Sequence, residues 1–263
     1  MSVGKIRRLK RIFREDGRSV IVPMDHGVTL GPVRGLVNMQ EIIDKLVLGG
    51  TDGIVLHKGI AKKIETRGMG LITHLSASTD LSSDPLWKVQ VCSVAHAVKL
   101  GADGISIHVN VGAPREGEML ANMALIADEC EELGMPLLAM MYPRGPKITD
   151  SNDVEVVKHV ARLGAELGAD IIKTNYTGSL ETFSEVVRSC PVPVVIAGGP
   201  KQKNVEGVLK MIYDSIQAGG AGVSIGRNTF QHENPTLMTR ALSALVHKGA
   251  TVKEGLLILR GAR

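Results

Sequence analysis

Four stretches of this 263-residue chain repeat one pattern, and no other feature restricts the fold as much. They are Gly49–His57, Leu100–His108, Leu167–Lys173 and Ala218–Gly226. Each reads as a helix end, a glycine that stops it, and a short β-branched strand. Glycine is the residue that tolerates the left-handed conformation at a helix C-terminus. Four more strands fall between the repeats, at Ser19–Met24, Leu71–Leu75, Pro136–Tyr142 and Pro193–Ala197. Several of the eight are continuous apolar runs, as parallel strands covered on both faces require. Helical patterns alternate with them at Met119–Leu133, Val154–Leu167 and Val205–Ala218, with Asp153 and Asn204 placed as N-caps. The segment after the second strand is short and has room for little helix. Alternation with eight strands predicts one closed (β/α)8 TIM barrel, spanning 1–263 as a single domain. A doubly wound open sheet is the structural alternative.

Composition narrows the function classes. Hydrophobic residues make up 44% and charged residues 22%, an ordinary globular balance. Aromatics are only 3%, so the core rests on Val, Ile, Leu, Ala and Met, and a base-stacking nucleic-acid platform is disfavoured. The net charge of +4 and pI near 9.0 suit an anionic partner, whether nucleic acid, an anionic membrane or small anionic substrates. The one dense basic run, Lys5–Arg14, has Ile6, Leu9, Ile12 and Phe13 at helical spacing. It predicts a basic helix over about residues 3–15 that docks with its charged face in solvent; an anion or membrane site is the other reading. Cys92, Cys130 and Cys190 are isolated, which suits a reducing compartment. No apolar run reaches membrane-span length and no signal peptide is evident, so a cytoplasmic location is expected.

In such a barrel, chemistry belongs at the C-terminal ends of the strands. Those positions hold Asp25-His26-Gly27, Tyr142-Pro143-Arg144-Gly145, Lys173, Gly198-Gly199-Pro200-Lys201 and Gly226-Arg227-Asn228. Lys173 stands out because lysine is seldom buried without reason. Alternation puts Ile171, Lys173 and Asn175 on one face. An amine held out of water gives up its charge more readily, and a neutral amine can condense with a ketone to an imine. A snorkelling rim lysine or a phosphate clamp remains open. Asp25 suits a base, an imine-orienting acceptor or a structural cap. Tyr142 suits a proton donor or a satisfied buried phenol. Glycine turns after strands seven and eight, the second with Arg227, match a barrel phosphate site. His57, His74 and His108 lie near strand ends, where they are either core residues or three zinc ligands of a metal-dependent aldolase or epimerase.

These segments, with Val22–Val28, Leu56–Ile60, Ser106–Gly112, Met141–Gly145, Leu163–Asp170 and Gly226–Asn228, resemble the archaeal-type class I aldolases over nearly the whole chain. Within that family Met24 and Ser106–Gly112 look like the branch of 2-amino-3,7-dideoxy-D-threo-hept-6-ulosonate synthases rather than the fructose-bisphosphate aldolases. The resemblance implies a transaldolase-type reaction through a lysine imine, with no metal or organic cofactor. A fragment of 1-deoxy-D-threo-hexo-2,5-diulose 6-phosphate would be joined to L-aspartate 4-semialdehyde, on an alternative route to 3-dehydroquinate and the aromatic amino acids. Lys173 would form the imine, with Asp25 as base and Tyr142 as proton donor. Asp25, His26, Gly27, Val28, Thr29, Tyr142, Pro143, Arg144, Gly198, Gly199, Gly226 and Arg227 would contact the substrate. A symmetric homo-oligomer such as a decamer is also implied. The rival readings are a class I fructose-bisphosphate aldolase, a metal-dependent barrel enzyme, and a sugar-phosphate-binding regulator without catalysis.

Overall fold

The computed structural model describes residues 1–261. Eight parallel strands close on themselves in sequence order: β1 Ser19–Pro23, β2 Gly53–Leu56, β3 Gly70–His74, β4 Gly104–Val111, β5 Leu137–Pro143, β6 Ile171–Thr174, β7 Val194–Ala197 and β8 Gly222–Ser224. The seam is made by β8 pairing with β1, Gly222 opposite Ser19. This is the (β/α)8 barrel that the repeat predicts, and the open-sheet alternative falls. All four repeat glycines, Gly50, Gly101, Gly168 and Gly219, have positive φ and turn the chain from a helix end toward a strand. Asp153 and Asn204 do cap their helices, accepting from the Val156 and Gly207 N–H groups. After β2 the chain makes only the short helix Lys58–Ala61.

Two apolar layers result from the alternation of side chains. Outward residues of the strands pack under the long helices, such as Glu116–Glu132, Val154–Glu166 and Pro235–His247. Inward residues Ile21, Val55, Ile72, Leu138, Met140, Ile171 and Val195 fill the barrel itself. The basic N-terminal segment forms helix α1, Val3–Ile12, and it stops the lower mouth of the barrel. Ile12 enters the inner layer, with Leu9 and Phe13 packed beside it.

The charged face of α1 is not simply solvated. Three repeats carry an aspartate just ahead of their strand; α1 engages two of them, and Arg14 just beyond α1 engages the third. Arg14 pairs with Asp52 at 2.5 Å, Arg11 with Asp103 at 3.3 Å, and Lys5 with Asp170 at 3.1 Å and with Glu131. Each aspartate also accepts a main-chain N–H from the start of the preceding strand: Val20 to Asp52, Leu71 to Asp103 and Leu137 to Asp170, at 2.7–3.0 Å. One carboxylate thus fixes strand register and anchors the plug. Among the described residues no helix is long and apolar enough to cross a membrane.

Candidate active site

The open, C-terminal end of the barrel holds a cavity of about 310 Å3. Of the sequence-predicted residues, Asp25, His26, Thr29, Tyr142, Arg144, Lys173, Gly198, Gly199, Gly226 and Arg227 line it. Gly27, Val28 and Pro143 belong to the same segments but do not line it.

Lys173 is 6% exposed, and on β6 it stands between Met140 of β5 and Val195 of β7. Ile171, two residues earlier, lies in the inner layer, so Lys173 points up the axis. Among the described residues no carboxylate comes within ion-pairing distance of its ammonium. Tyr142 lies two residues beyond Met140 on β5 and is buried. Its ring meets the His108 ring edge-on at 5.0 Å, and the Arg144 guanidinium sits 4.7 Å from its centroid.

Asp25 carries the negative charge at the cavity floor. Its oxygens are 3.7 Å from His26 Nδ1 and 3.7 Å from His74 Nε2, beyond hydrogen-bond reach. Burial raises its pKa, but in the acid range where it titrates the protonated His74 and His26, together with Lys173, outweigh this and hold the carboxyl well below the usual carboxylate range. It is therefore ionised throughout the neutral range. His74 is buried and shares a 2.8 Å hydrogen bond through Nδ1 with Ser106 Oγ. Burial pushes its pKa down to about 4 against the opposing pull of Asp25. The ring is neutral at neutral pH.

The three histidines weighed as zinc ligands are otherwise engaged. His57 and His74 stack edge-to-face at 5.2 Å, and His108 Nε2 donates to Asn110 Oδ1 at 2.8 Å. Among the described residues no three His, Cys, Asp or Glu side chains are grouped to hold a metal ion.

The glycine turns after β7 and β8 are tied together by Asn228, which is buried. Its Nδ2 donates to the Gly198 and Pro200 carbonyls at 2.8 and 3.0 Å, and its Oδ1 accepts from Gln202 N–H at 2.8 Å. A Cβ on Gly226 would lie 2.6 Å from the Pro23 carbonyl oxygen, so only glycine permits this approach. His26 Nδ1, Ser224 Oγ and Arg227 Nε are buried here without a hydrogen-bond partner among the described residues. Such groups are costly to bury and fit a site that receives a polar ligand.

Sequence reasoning missed one wall. After β3 the chain makes a two-stranded antiparallel ribbon, Ser76–Ala77 with Val89–Gln90. Its excursion brings Ser76, Ser78, Asp80 and Lys88 to the cavity. The two-residue strands have no readable period, and the intervening Asp80–Pro85 looks like a polar turn. Lys88 lies 18 residues ahead of Ser106, and spacing alone cannot show that it reaches the strand ends.

A closed parallel barrel that gathers a buried lysine, an ionised aspartate and two glycine turns at its strand ends has the architecture of a barrel enzyme. The chain belongs to the DeoC/LacD family of aldolases, whose sequence model matches residues 19–232. It is 42% identical to the 2-amino-4,5-dihydroxy-6-oxo-7-(phosphonooxy)heptanoate synthase of Streptomyces griseus, covering 93% of this chain and 90% of that one. It is 44% identical to 2-amino-3,7-dideoxy-D-threo-hept-6-ulosonate synthase 1 of Archaeoglobus fulgidus, covering 96% and 94%. Among solved structures, it is similar to an archaeal fructose-1,6-bisphosphate aldolase with the catalytic lysine bound to the carbinolamine intermediate of the substrate. There the TM-score is 0.86, with 35% identity over 92% of this chain and 99% of that one.

Proposed function

We propose that the chain is a 2-amino-3,7-dideoxy-D-threo-hept-6-ulosonate synthase working through an imine on Lys173. The observation that carries this reading is Lys173 itself, sealed in the barrel wall yet lining the cavity with Asp25 and Tyr142. The Archaeoglobus relative supports the choice of product.

The Lys173 amine adds to the C2 ketone of 1-deoxy-D-threo-hexo-2,5-diulose 6-phosphate, and loss of water gives an iminium. The C4 hydroxyl gives up its proton, the C3–C4 bond breaks, and its electron pair flows into the iminium. A phosphorylated three-carbon dicarbonyl departs. The enamine carbon then attacks the aldehyde of L-aspartate 4-semialdehyde, the new alkoxide is protonated, and water releases the seven-carbon amino keto acid. The protonated imine is the electron sink, so these steps require no metal.

Asp25, so strongly ionised, is a weak base; it suits holding the iminium cation. Tyr142, with its phenol beside Arg144, suits carrying the proton to and from the reacting hydroxyl. Gly198, Gly199, Gly226 and Arg227 suit the phosphate.

The Streptomyces relative favours a second reading, in which the enamine fragment derives from dihydroxyacetone phosphate and the product keeps its phosphate. Incubation with L-aspartate 4-semialdehyde and each donor in turn, followed by mass spectrometry, separates them. The first reading predicts a phosphate-free seven-carbon product from the diulose phosphate. A product formed only from dihydroxyacetone phosphate contradicts it, as does efficient cleavage of fructose 1,6-bisphosphate without condensation.

A further inference from the structure

Lys88 reaches the cavity from the ribbon excursion between β3 and β4, on the opposite side of the closed strand order from the glycine turns of β7 and β8. Its ammonium donates to Ser78 Oγ and to the Pro85 carbonyl at 3.2 Å, and among the described residues no carboxylate pairs with it. The excursion is firmly held. Ser78 Oγ donates to the Pro85 carbonyl at 2.9 Å, and Arg115 lies 3.2 Å over the Trp87 ring.

Asn110, fully buried at the end of β4, joins this segment to the site. Its Nδ2 donates to the Leu86 carbonyl at 2.6 Å, while its Oδ1 accepts from His108 Nε2 at 2.8 Å and from Arg144 Nη1 at 3.5 Å. One amide therefore orients Arg144 and the Lys88 loop together. Burial and then the Arg144 charge weaken the hold of Lys88 on its proton, while Asp80 acts in the opposite sense. Two cations that repel one another into a shared cavity are poised for an anion. Among the described residues Asp80 is the only acid lining the cavity besides Asp25, and its charge acts on Lys88.

We propose that Lys88, Arg144 and Asp80 form a subsite for an α-amino carboxylate, and that the acceptor aldehyde is held there by its amino-acid end. Lys88 and Arg144 take the carboxylate, and Asp80 takes the ammonium. The acceptor then does not compete for the phosphate cradle. This assignment rests on the proposed reading that the acceptor is an amino-acid aldehyde.

The test compares wild type, Lys88→Gln, Lys88→Arg and Asp80→Asn with three acceptors: L-aspartate 4-semialdehyde, succinate semialdehyde, which lacks the amine, and butanal, which lacks both charges. Losing one charge-assisted contact corresponds to about tenfold or more. Lys88→Gln raises the KM of both carboxylated acceptors by about that factor. The butanal and donor KM values move by at most about twofold, and Lys88→Arg restores most of the loss. Asp80→Asn raises the KM of aspartate semialdehyde alone. Equal effects on all acceptors, or an equal effect on the phosphorylated donor, overturn the proposal.

Binding of unreactive L-homoserine, followed by ligand-observed NMR, reads the subsite without turnover. Binding weakened by Lys88→Gln and Asp80→Asn supports it, and binding that is absent in wild type or unchanged in the variants overturns it. Failure of borohydride to trap the donor on Lys173 would instead overturn the proposed function.

Discussion

Lys173 and Asp25 line the same cavity, and the proposed chemistry depends on both side chains. Lys173→Met removes the proposed nucleophile, so turnover and imine formation should both vanish while the fold, measured by circular dichroism, is retained. Tyr142→Phe leaves imine formation intact but slows turnover by roughly 10²–10⁴. Retention of wild-type turnover in that variant would reassign the proton work to Asp25.

His74 ties the site to pH. Its folded pKa of about 4 lies below the ordinary value of 6.5. Between these values the unfolded chain binds the extra proton, so stability falls as pH drops through the window and levels off below it. The loss from His74 is on the order of 3 kcal/mol. Urea midpoints at pH 7 and pH 4.5, compared between wild type and His74→Gln, measure it; an unchanged pH slope in the variant would contradict it. Lys173 was legible in the sequence because a charge interrupts an apolar strand. Asp80 and Lys88 were not, because polar residues in an irregular excursion look like solvent.

At the scale of elements, the repeat does two jobs: its glycines turn helices into strands, and its aspartates receive α1. The glycines were readable because only one residue type suits a positive φ. The aspartates looked like turn residues, since their partners lie 32–165 residues away. Burial separates their energetic weights. The Lys5 side chain is 4% exposed, and Asp170→Ala leaves it with Glu131 alone and strips Leu137 N–H of its acceptor, a loss of about 3 kcal/mol. Arg11 is 71% exposed, so Arg11→Ala loses less than about 1 kcal/mol. Ile12→Ala, which empties the barrel floor, costs about 2–5 kcal/mol. Denaturant unfolding of the three variants should rank them in that way, and a larger loss for Arg11→Ala than for Asp170→Ala would contradict the plug.

For the whole molecule, the net charge of +4 has a direction. At the lower mouth Lys5, Arg11 and Arg14 are paired with Asp52, Asp103, Asp170 and Glu131. At the upper mouth Lys88, Arg144 and Arg227 line the cavity without a carboxylate in ion-pairing distance among the described residues, and Asp25 and Asp80 are the acids that line it there. Unpaired cations around a cavity draw anions to that end. Raising the salt from low concentration toward 0.5 M should lower kcat/KM for the phosphorylated donor while leaving that for butanal nearly unchanged, because the Debye length shrinks to a few ångströms. A flat salt profile for the donor would deny the field a role. Composition indicated an anionic ligand, but only the closed barrel places Lys88, Arg144 and Arg227 at one end of the molecule.

The most direct measurement is borohydride reduction of the protein with 1-deoxy-D-threo-hexo-2,5-diulose 6-phosphate, followed by peptide mass mapping. A stable adduct on the peptide containing Lys173, with the mass of a phosphate-free three-carbon fragment once the dicarbonyl has left, is the expected result. No adduct, or an adduct on any other lysine, would contradict a covalent role for Lys173.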